Sequence, residues 1–397
     1  MHAKGIVGLM LKDCLSGLHE KRAEALCAGV SAAVSGGRLS LSGLAHRVGG
    51  SAALRHRIKR IDRLIGNDAI HQDRSVIYSE LAARWLSDIG HTLIVVDWSD
   101  LTRDQSWHLL RASVAVEGRS VTLYEEVHPR NRLGSRWVHQ RFLGRLERIL
   151  PAGCKPILLT DAGFRSSWFD TVDRRHWQWI GRIRNRDLVC VEGAPWKPAK
   201  SLYALAGEEP QEFHVRHVRN HPATRRMVLV KRLAKGRVSR TRFGKRRVSK
   251  VSLAAGNRER EPWLLACSSG LAHLSPAAIV ALYAQRMRIE QEFRDTKNER
   301  LGMGLHAARS RSAQRFEMLL LIGHLAAWLL RLIGEGAQQR QMTLQFQSTG
   351  RTARREISVM TLASRVVEFG LAWLTPTILR DSLARLRLQA RGACLAS

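Results

Sequence analysis

The chain has few cysteines, few acidic residues and no apolar run long enough to cross a membrane. Its 6 cysteines include no Cys-x2-Cys pair, which argues against a zinc ribbon and against a framework of disulfides. The longest charge-free apolar stretch, residues 318–330, contains His324 and falls short of the roughly 20 residues that span a bilayer. The N-terminal MHAKGIVGLM is too short for a secretory signal. We therefore expect a buried helix at 318–330, no membrane partner and a cytoplasmic location.

The shortage of acidic residues leaves a large positive charge. The chain holds 65 Lys and Arg against 34 Asp and Glu, a formal net charge of +31, and such an excess attracts polyanions, above all nucleic acid. An anionic membrane surface is the alternative partner. The composition is otherwise ordinary, with 45% hydrophobic and 25% charged residues, which excludes a disordered or collagen-like chain. At about 100–200 residues per domain, the length of 397 residues predicts two to four domains.

Residues 1–75 are predicted to form a helical DNA-binding domain. One short helix should end at a Gly-Gly pair, and Ser51 should cap the next helix. Apolar residues recur in that second helix every three or four positions, at Leu54, Ile58, Ile61 and Ile65, among many Arg and Lys. A helix, a glycine turn and a basic amphipathic helix are typical of a helix-turn-helix. The alternative is an ordinary helical hairpin with a solvated basic face.

Residues 88–181 predict a mixed α/β core. Three apolar runs predict consecutive strands: HTLIVVDWSDL, WHLLRASVAV and SVTLYEEV. The first strand is expected to end at Asp97. They are followed by a helix in GSRWVHQRFLGRLERIL, a strand in KPILLTD, a helix in FRSSWFDTVDRR and a strand in HWQWIGRIR. The order β-β-β-α-β-α-β fits a mixed sheet flanked by helices.

Residues 182–264 interrupt this core with a basic segment. Positions 182–260 hold 21 Lys and Arg against 6 Asp and Glu, and contain β-like runs such as EFHVRHV, RMVLVKRL and RVSKVSLAA. A disordered linker would be less apolar, so we predict a β-rich insertion. Helical signals return at Ser275-Pro276, an N-cap and N1 pair. Residues 265–335 should complete the core, and residues 336–397 should form a helical C-terminal region that could contribute dimer contacts.

Two aspartates, Asp97 and Asp161, each end a short apolar strand. If the two strands are neighbours, the carboxylates lie close enough to share divalent cations, and Mg²⁺ prefers such oxygen ligands. The alternative for each aspartate alone is a residue that starts a turn.

Residues 275–298 predict one long helix with a polar stripe. With about 100° of rotation per residue, four polar residues fall within one sector of about 60° on the helix surface, and two further residues flank that sector. The four are Tyr283, Arg286, Glu290 and Lys297, and the flanking residues are Arg294 and Met287. Glu290 could complete a metal site with the two aspartates, while the arginine and lysine contact phosphates. Three carboxylates around two metal ions indicate phosphodiester chemistry, and a solvated face with an Arg286–Glu290 pair is the alternative.

These residues together resemble the bacterial insertion-sequence transposases of the DDE class, in the IS-four family defined by a Y-x2-R-x3-E-x6-K signature. The aspartate motifs match as IVVDWSDL and LLTDAGFR, and the resemblance covers nearly the whole chain. The signature matches with every spacing kept, as Tyr283, Arg286, Glu290 and Lys297. Trp98 departs from the pattern, because relatives often have a small residue after the first aspartate. A bulky residue there could alter access to the site.

The resemblance implies an RNase H-like catalytic core that holds Mg²⁺ or Mn²⁺ through Asp97, Asp161 and Glu290. It also implies excision through a hairpin at the transposon end, joining of the 3′-hydroxyls to target DNA, and a homodimer that bridges two ends. Trp263 stands where the family carries an aromatic residue that stacks on an extruded base. Met287 could wedge into the gap. A core tryptophan and a packing methionine are the alternatives at these positions.

Two other functions remain open. One is an RNase H-like, structure-specific DNA nuclease without strand transfer, and the other is a catalytically idle DNA-binding regulator derived from a transposase. The three intact carboxylates argue against the idle regulator. The basic run of the insertion, including Arg246 and Arg247, is expected to contact phosphates rather than bases. A zinc site at His214, His217 and His221 is disfavoured because no cysteine lies near them.

Overall fold

A computed structural model shows the chain as two compact units. It describes residues 1–184, 187–232, 261–300, 302–348 and 357–395. The first unit contains Met1–Cys154 and Met287–Ala393, and the second contains Lys155–Arg286 with the C-terminal residues from Cys394. The boundaries of the five segments expected from the sequence remain a prediction.

The N-terminal part of the first unit is helical, as predicted. Its helices are α1 (Ala3–Leu11), α2 (Glu20–Val34), α3 (Leu41–Arg47), α4 (Leu54–Ile65) and α5 (Asp68–Leu86). The Ser40 hydroxyl accepts a hydrogen bond from the backbone N–H of Gly43 at 3.1 Å and so caps α3. The cap expected at Ser51 is wrong, because α4 follows Ala53 without a side-chain cap. Gly50, at a φ of 119°, holds the chain in a bend before that helix starts.

Three antiparallel strands follow: β1 (His91–Asp100), β2 (Trp107–Val116) and β3 (Arg119–Pro129). Gly118, at a φ of 68°, lies in the turn between β2 and β3. The expected strand end at Asp97 is wrong, since β1 continues to Asp100, which pairs with His108 of β2. α6 (Arg136–Ile149) comes next and buries Val138, Phe142 and Leu146 at helical spacing.

The second unit is built on a seven-stranded mixed sheet. Its elements are β4 (Lys155–Thr160), α7 (Ser166–Asp173), β5 (Gln178–Ile183), β6 (Leu188–Val191), β7 (Lys197–Pro198), β8 (Gln211–His217), β9 (Ala223–Val230), β10 (Trp263–Cys267) and α8 (Pro276–Ala284). The strand order is β4-β5-β10-β9-β8-β6-β7. β4 and β5 are parallel, and the other pairs are antiparallel. The basic segment is therefore β-rich as predicted, whereas the strand expected in RVSKVSLAA lies outside the described residues.

The C-terminal part of the first unit returns to helix. It contains α9 (Arg288–Lys297), α10 (Ala313–Gln339), α11 (Thr343–Phe346), α12 (Val359–Phe369) and α13 (Pro376–Leu395). α10 is long and apolar enough to cross a membrane by length and composition, but 89% of its most apolar stretch is buried inside the structure. The prediction of a buried helix at 318–330 is confirmed.

The helix α10 shares its core with the N-terminal helices. It contacts α2, α4 and α12, and also packs on β3. A Cβ atom added at Gly29 of α2 would lie 2.7 Å from Cδ2 of Leu64 in α4 and 3.4 Å from Cδ1 of Ile322 in α10. The absence of a side chain at Gly29 therefore lets three helices meet closely.

The order β1-β2-β3-α6-β4-α7-β5 matches the predicted order element by element. Antiparallel β1–β3, a parallel β4–β5 pair and flanking helices give the mixed architecture expected of an RNase H-like core. The fold class predicted from the sequence is confirmed, including the β-rich insertion and the helical regions at both ends.

Candidate active site

Asp97 lies in β1 with its side chain largely buried. The residue is 9% exposed, and its Oδ1 accepts a hydrogen bond from the backbone N–H of Trp98 at 2.8 Å. Its partner across the sheet is Arg111 of β2, and directly opposite residues share one face of a sheet. Alternation along the strand puts Ser99 on that same face and Trp98 on the other.

Asp161 directly follows β4, as predicted for the second aspartate. Its Oδ1 accepts a hydrogen bond from the backbone N–H of Gly163 at 2.7 Å. A Cβ atom at position 163 would lie 2.9 Å from that same oxygen, which is too close for a side chain. Gly163 therefore permits the tight turn that fixes the Asp161 carboxylate at the end of the strand.

The single helix expected over residues 275–298 is wrong. Ser275 caps α8 by accepting from the backbone N–H of Ala278 at 3.2 Å, as predicted. The α-helix ends at Ala284, a 3-10 turn covers Gln285–Met287, and α9 starts at Arg288. Because a 3-10 helix has about 3.0 residues per turn rather than 3.6, the turn rotates later residues away from the expected stripe. Tyr283, on α8, is buried at 3% exposure rather than presented at a surface.

The helix α9 packs across β1, β2 and β3 and is fixed there by one carboxylate. Ile289 and Phe293 are its buried apolar residues, as expected for the apolar edge of this helix. The Glu292 carboxylate accepts hydrogen bonds from three hydroxyls on β2 and β3, namely Ser113 Oγ at 2.7 Å, Ser120 Oγ at 2.6 Å and Thr122 Oγ1. Glu290, on the same helix, is half-buried.

Arg111 links the sheet to α9. It is 2% exposed, its Nε donates to Glu125 Oε2 at 2.8 Å, and its Nη1 donates to Thr296 Oγ1 at 3.1 Å. The guanidinium also lies 5.1 Å from the ring centroid of Phe293. Burial opposes the charge, but the carboxylates of Glu125 and Glu292 outweigh it and raise the pKa of Arg111.

Lys297, at the end of α9, reaches back to β1. Its Nζ donates to Ser99 Oγ and to the carbonyl oxygen of Asp100, both at 2.5 Å. Burial and the charge of Arg111 lower the pKa of Lys297 to about 8, against the opposing pull of the Asp100 and Asp97 carboxylates. The structure thus brings Lys297 together with the end of β1 that carries Asp97.

Trp98 occupies the other face of β1, so its bulk does not crowd Asp97. Its indole Nε1 donates to His139 Nε2 at 3.0 Å. Burial and the charge of His128 lower the pKa of His139 to about 4, which keeps the ring neutral and able to accept this bond. The His128 Nε2 lies 2.9 Å from Glu126 Oε2. Burial opposes ionisation of Glu126, but His128 and Arg145 lower its pKa to about 2.

In the second unit, Trp263 opens β10 and is half-buried. Its ring meets that of Tyr283 edge to face, with centroids 4.9 Å apart. The guanidinium of Arg232 lies 4.4 Å from the Trp263 ring centroid. Burial and Arg184 lower the pKa of the nearby Arg182.

The other expected DNA contacts are spread over both units. Arg286 lies in the 3-10 turn, Met287 is 43% exposed, and Arg294 is exposed on α9. Arg246 and Arg247 lie outside the described residues. The roles of all these residues in DNA binding remain predictions.

The three carboxylates offer the oxygen ligands that suit a hard divalent cation. Carboxylate oxygens are the ligands that Mg²⁺ prefers. Asp97 and Glu290 belong to the first unit and Asp161 to the second. Over the described part of the chain, no three His, Cys, Asp or Glu side chains are positioned to hold a metal ion.

Sequence reasoning missed Arg111, Glu292, Gly163 and Arg232. A signal for the first was available, because Arg111 interrupts the apolar run HLLRASVAV and a charge inside a buried strand needs a partner. The small residues of the LLTDAGF motif similarly marked the turn after Asp161. Glu292 carries no distinguishing signal, since it stands among other charged residues in EQEFRD.

The sequence profile described as the transposase DDE domain matches residues 88–330, which is more than half of the chain. No curated protein matches in sequence. A piggyBac transposase in a synaptic complex with hairpin DNA, solved by cryo-EM, is similar in structure at 10% identity, covering 96% of this chain and 82% of that one, with a TM-score of 0.42. A likeness this distant says nothing about individual residues.

Proposed function

Because the chain belongs to the transposase DDE domain family, we propose that it is a cut-and-paste transposase of the IS-four type. It binds the terminal inverted repeats of an insertion sequence, excises the element and joins its 3′-hydroxyls to target DNA. The observation that carries this proposal is the position of the three carboxylates in the fold. Asp97 is on β1, Asp161 follows β4 and Glu290 is on α9. This order of two strand-borne aspartates and a glutamate helix supports the proposal, because the resemblance to DDE transposases implies it.

We assign Asp97, Asp161 and Glu290 as the catalytic residues. Enzymes of this family generally depend on divalent metal ions, and we propose Mg²⁺, with Mn²⁺ as a substitute. Asp97, Asp161 and Glu290 would hold these ions, which would supply activation of an attacking water or 3′-hydroxyl and stabilisation of the leaving oxygen. In the protein, Glu292 and Arg111 hold α9 on the sheet, and Lys297 holds the end of β1. These contacts fix Asp97 and Glu290 before DNA arrives.

Excision through a hairpin requires that a base leave the duplex at the transposon end. We propose that Trp263 stacks on that base and that Met287, at 43% exposure, enters the gap it leaves. The edge of Tyr283 and the guanidinium of Arg232 support the Trp263 ring. Such support holds the indole in one orientation, as base stacking requires.

We propose that the N-terminal helices read the terminal repeat. Arg55, Lys59, Arg60 and Arg63 are exposed on α4, whereas Ile61 and Leu64 are buried. Deleting these helices would expose the core shared with α10, so side-chain replacement is the cleaner test. Replacing Arg60 and Arg63 with alanine should remove the preference for the repeat over random DNA without unfolding the chain. An unchanged preference in a competition binding assay would contradict this role.

We further propose that the protein acts as a homodimer in its complex with DNA, bridging two transposon ends. Sedimentation of the protein with and without a duplex carrying the element end should show two chains in the DNA complex. One chain per duplex at saturating protein would contradict the proposal.

The function is tested by incubating the purified protein with Mg²⁺ and that duplex, beside a Glu290→Gln variant. We expect nicked, hairpin and joined products from the wild type and none from the variant, with equal DNA binding by both. Cleavage without hairpins or joining would instead indicate a structure-specific nuclease. Tight binding with no metal-dependent product from either protein would indicate an idle DNA-binding regulator.

A further inference from the structure

An exposed indole flanked by arginines lies at the start of α6. Trp137 is 54% exposed, although a ring of this size is usually mostly buried. The Arg141 guanidinium lies 4.3 Å from its ring centroid, and that of Arg132 lies 5.8 Å away. Each cation is attracted to the π system, so the indole holds the two guanidinium groups in place at the surface. We name Arg132, Trp137, Arg141 and Arg148 the α6 surface.

The α6 surface is strongly basic, although one arginine of this helix, Arg145, forms an ion pair with Glu126 at 2.7 Å. Residues 130–149 contain six arginines and one acidic residue, Glu147, a net charge of 6 − 1 = +5. Among the described residues, no carboxylate forms an ion pair with Arg132. The ion-pair partner of Arg141 is Glu126, at the long distance of 3.8 Å. Such charges are available to a polyanion.

A groove of about 290 Å³ between α5 and α6 continues this surface. Hydroxyl and guanidinium groups line it, from Ser75 and Ser79 of α5 and from Arg145 and Arg148 of α6. Glu80 is the acidic residue in its lining. Hydroxyls and guanidinium groups are the donors that proteins use to bind phosphate oxygens.

The dimensions of the α6 surface match a stretch of DNA backbone. From Trp137 to Arg148 the helix rises about 16 Å, at 1.5 Å per residue. One DNA strand rises about 3.4 Å per nucleotide, so this length spans about five nucleotides. α6 exposes arginines and an indole rather than a row of the amides that read adenine edges. Contacts of this kind position a duplex without reading its sequence.

We propose that the α6 surface and its adjoining groove bind the sugar–phosphate backbone of the target duplex, without sequence preference. The proposal rests on the function proposed above, because a transposase must hold a second duplex that it has not selected by sequence. Nothing in the Y-x2-R-x3-E-x6-K signature covers these residues.

The test compares binding to two duplexes, one of random sequence and one carrying the element end, without metal and over a range of salt concentrations. An Arg132→Glu/Arg141→Glu variant should bind both duplexes about tenfold more weakly at low salt. Its slope of log K against log salt should fall by about two, since each phosphate contact contributes about 0.9. A matched variant, Arg365→Glu/Arg380→Glu, reverses two exposed arginines on α12 and α13 and should change binding less than twofold.

A second set of variants tests the indole. Trp137→Ala should weaken binding about two- to fivefold, because the guanidinium groups lose their support, whereas Trp137→Phe should bind nearly as the wild type. Thermal unfolding of each variant separates lost contacts from lost folding.

Three outcomes would overturn the proposal: unchanged binding and slope, a loss confined to the element end, or a loss of binding to phosphatidylserine vesicles while duplex binding persists. Strand cleavage by the wild type is scored separately. If the wild-type protein binds random duplex through α6 but does not cleave DNA, the proposed function is refuted, whereas the DNA-binding role of the α6 surface is not.

Discussion

Glu292 offers a direct test of how α9 is held on the sheet. Its carboxylate accepts from the hydroxyls of Ser113, Ser120 and Thr122, and its Oε1 lies 3.9 Å from Nη1 of Arg111. The side chain is 13% exposed. Replacing it with alanine leaves three hydroxyls and one guanidinium without this partner.

The expected loss follows from those contacts. Hydrogen bonds to a charged group contribute about 1.5–3 kcal/mol each, but they are not additive and hydroxyls can rotate to other acceptors. Removing one member of a buried charged group typically costs about 3–5 kcal/mol, which we expect for Glu292→Ala. Glu292→Gln keeps one acceptor oxygen and the side-chain shape, so about 1–3 kcal/mol should be lost. Because total stability is about 5–15 kcal/mol, both losses are measurable.

The assay is urea unfolding, with Glu299→Ala as the matched control. Glu299 lies just beyond α9 and pairs at 2.9 Å with Arg103, which is 79% exposed. An exposed pair of this kind contributes at most about 1 kcal/mol. If Glu292→Ala and Glu299→Ala destabilise the chain equally, the anchoring role of Glu292 is refuted.

Three further predictions concern pH and DNA. Burial lowers the pKa of His139 to about 4 and that of His324 to about 3. Both rings are neutral in the folded protein, whereas the unfolded chain binds protons on them near pH 6.5. Lowering the pH from about 6.5 to 4 should therefore reduce the free energy of unfolding by up to about 3 kcal/mol for each histidine. A free energy of unfolding that stays constant over this pH range would contradict the prediction. Trp263→Ala should slow hairpin formation more than first-strand nicking, and equal slowing of both would refute base stacking. Reversing the charges of Arg246 and Arg247 should weaken binding of the element end and reduce its salt slope by about two, and an unchanged constant and slope would contradict phosphate contact.

Much of the fold could be predicted because its elements carry strong local patterns. The apolar runs around Asp97 and Asp161 are short and bounded by turn residues, so their strands were evident. The Ser275-Pro276 pair predicts the start of α8, and the helix does begin at Pro276 with Ser275 as its N-cap. The break at Gln285–Met287 left no such mark, because Gln, Arg and Met all favour α-helix. Local propensity therefore does not account for that turn.

The buried polar contacts could not be predicted from the sequence for a different reason. Arg111 reaches Glu125 within the sheet and Thr296 on α9, and these partners are separated by 14 and 185 positions in the chain. A periodicity argument identifies the face of a strand but not which distant residue meets it. Lys297, which the helical pattern places among the residues expected to contact phosphates, donates to Ser99, a partner 198 positions earlier in the chain.

The proposed function requires that Asp97, Asp161 and Glu290 act in one reaction. Asp161 tests it most directly, because it belongs to the second unit while Asp97 and Glu290 belong to the first. The measurement is Mg²⁺-dependent cleavage of the element end by an Asp161→Asn variant, with DNA binding and unfolding free energy measured in parallel. We predict complete loss of cleavage with binding and stability unchanged. Cleavage at the wild-type rate would contradict the account.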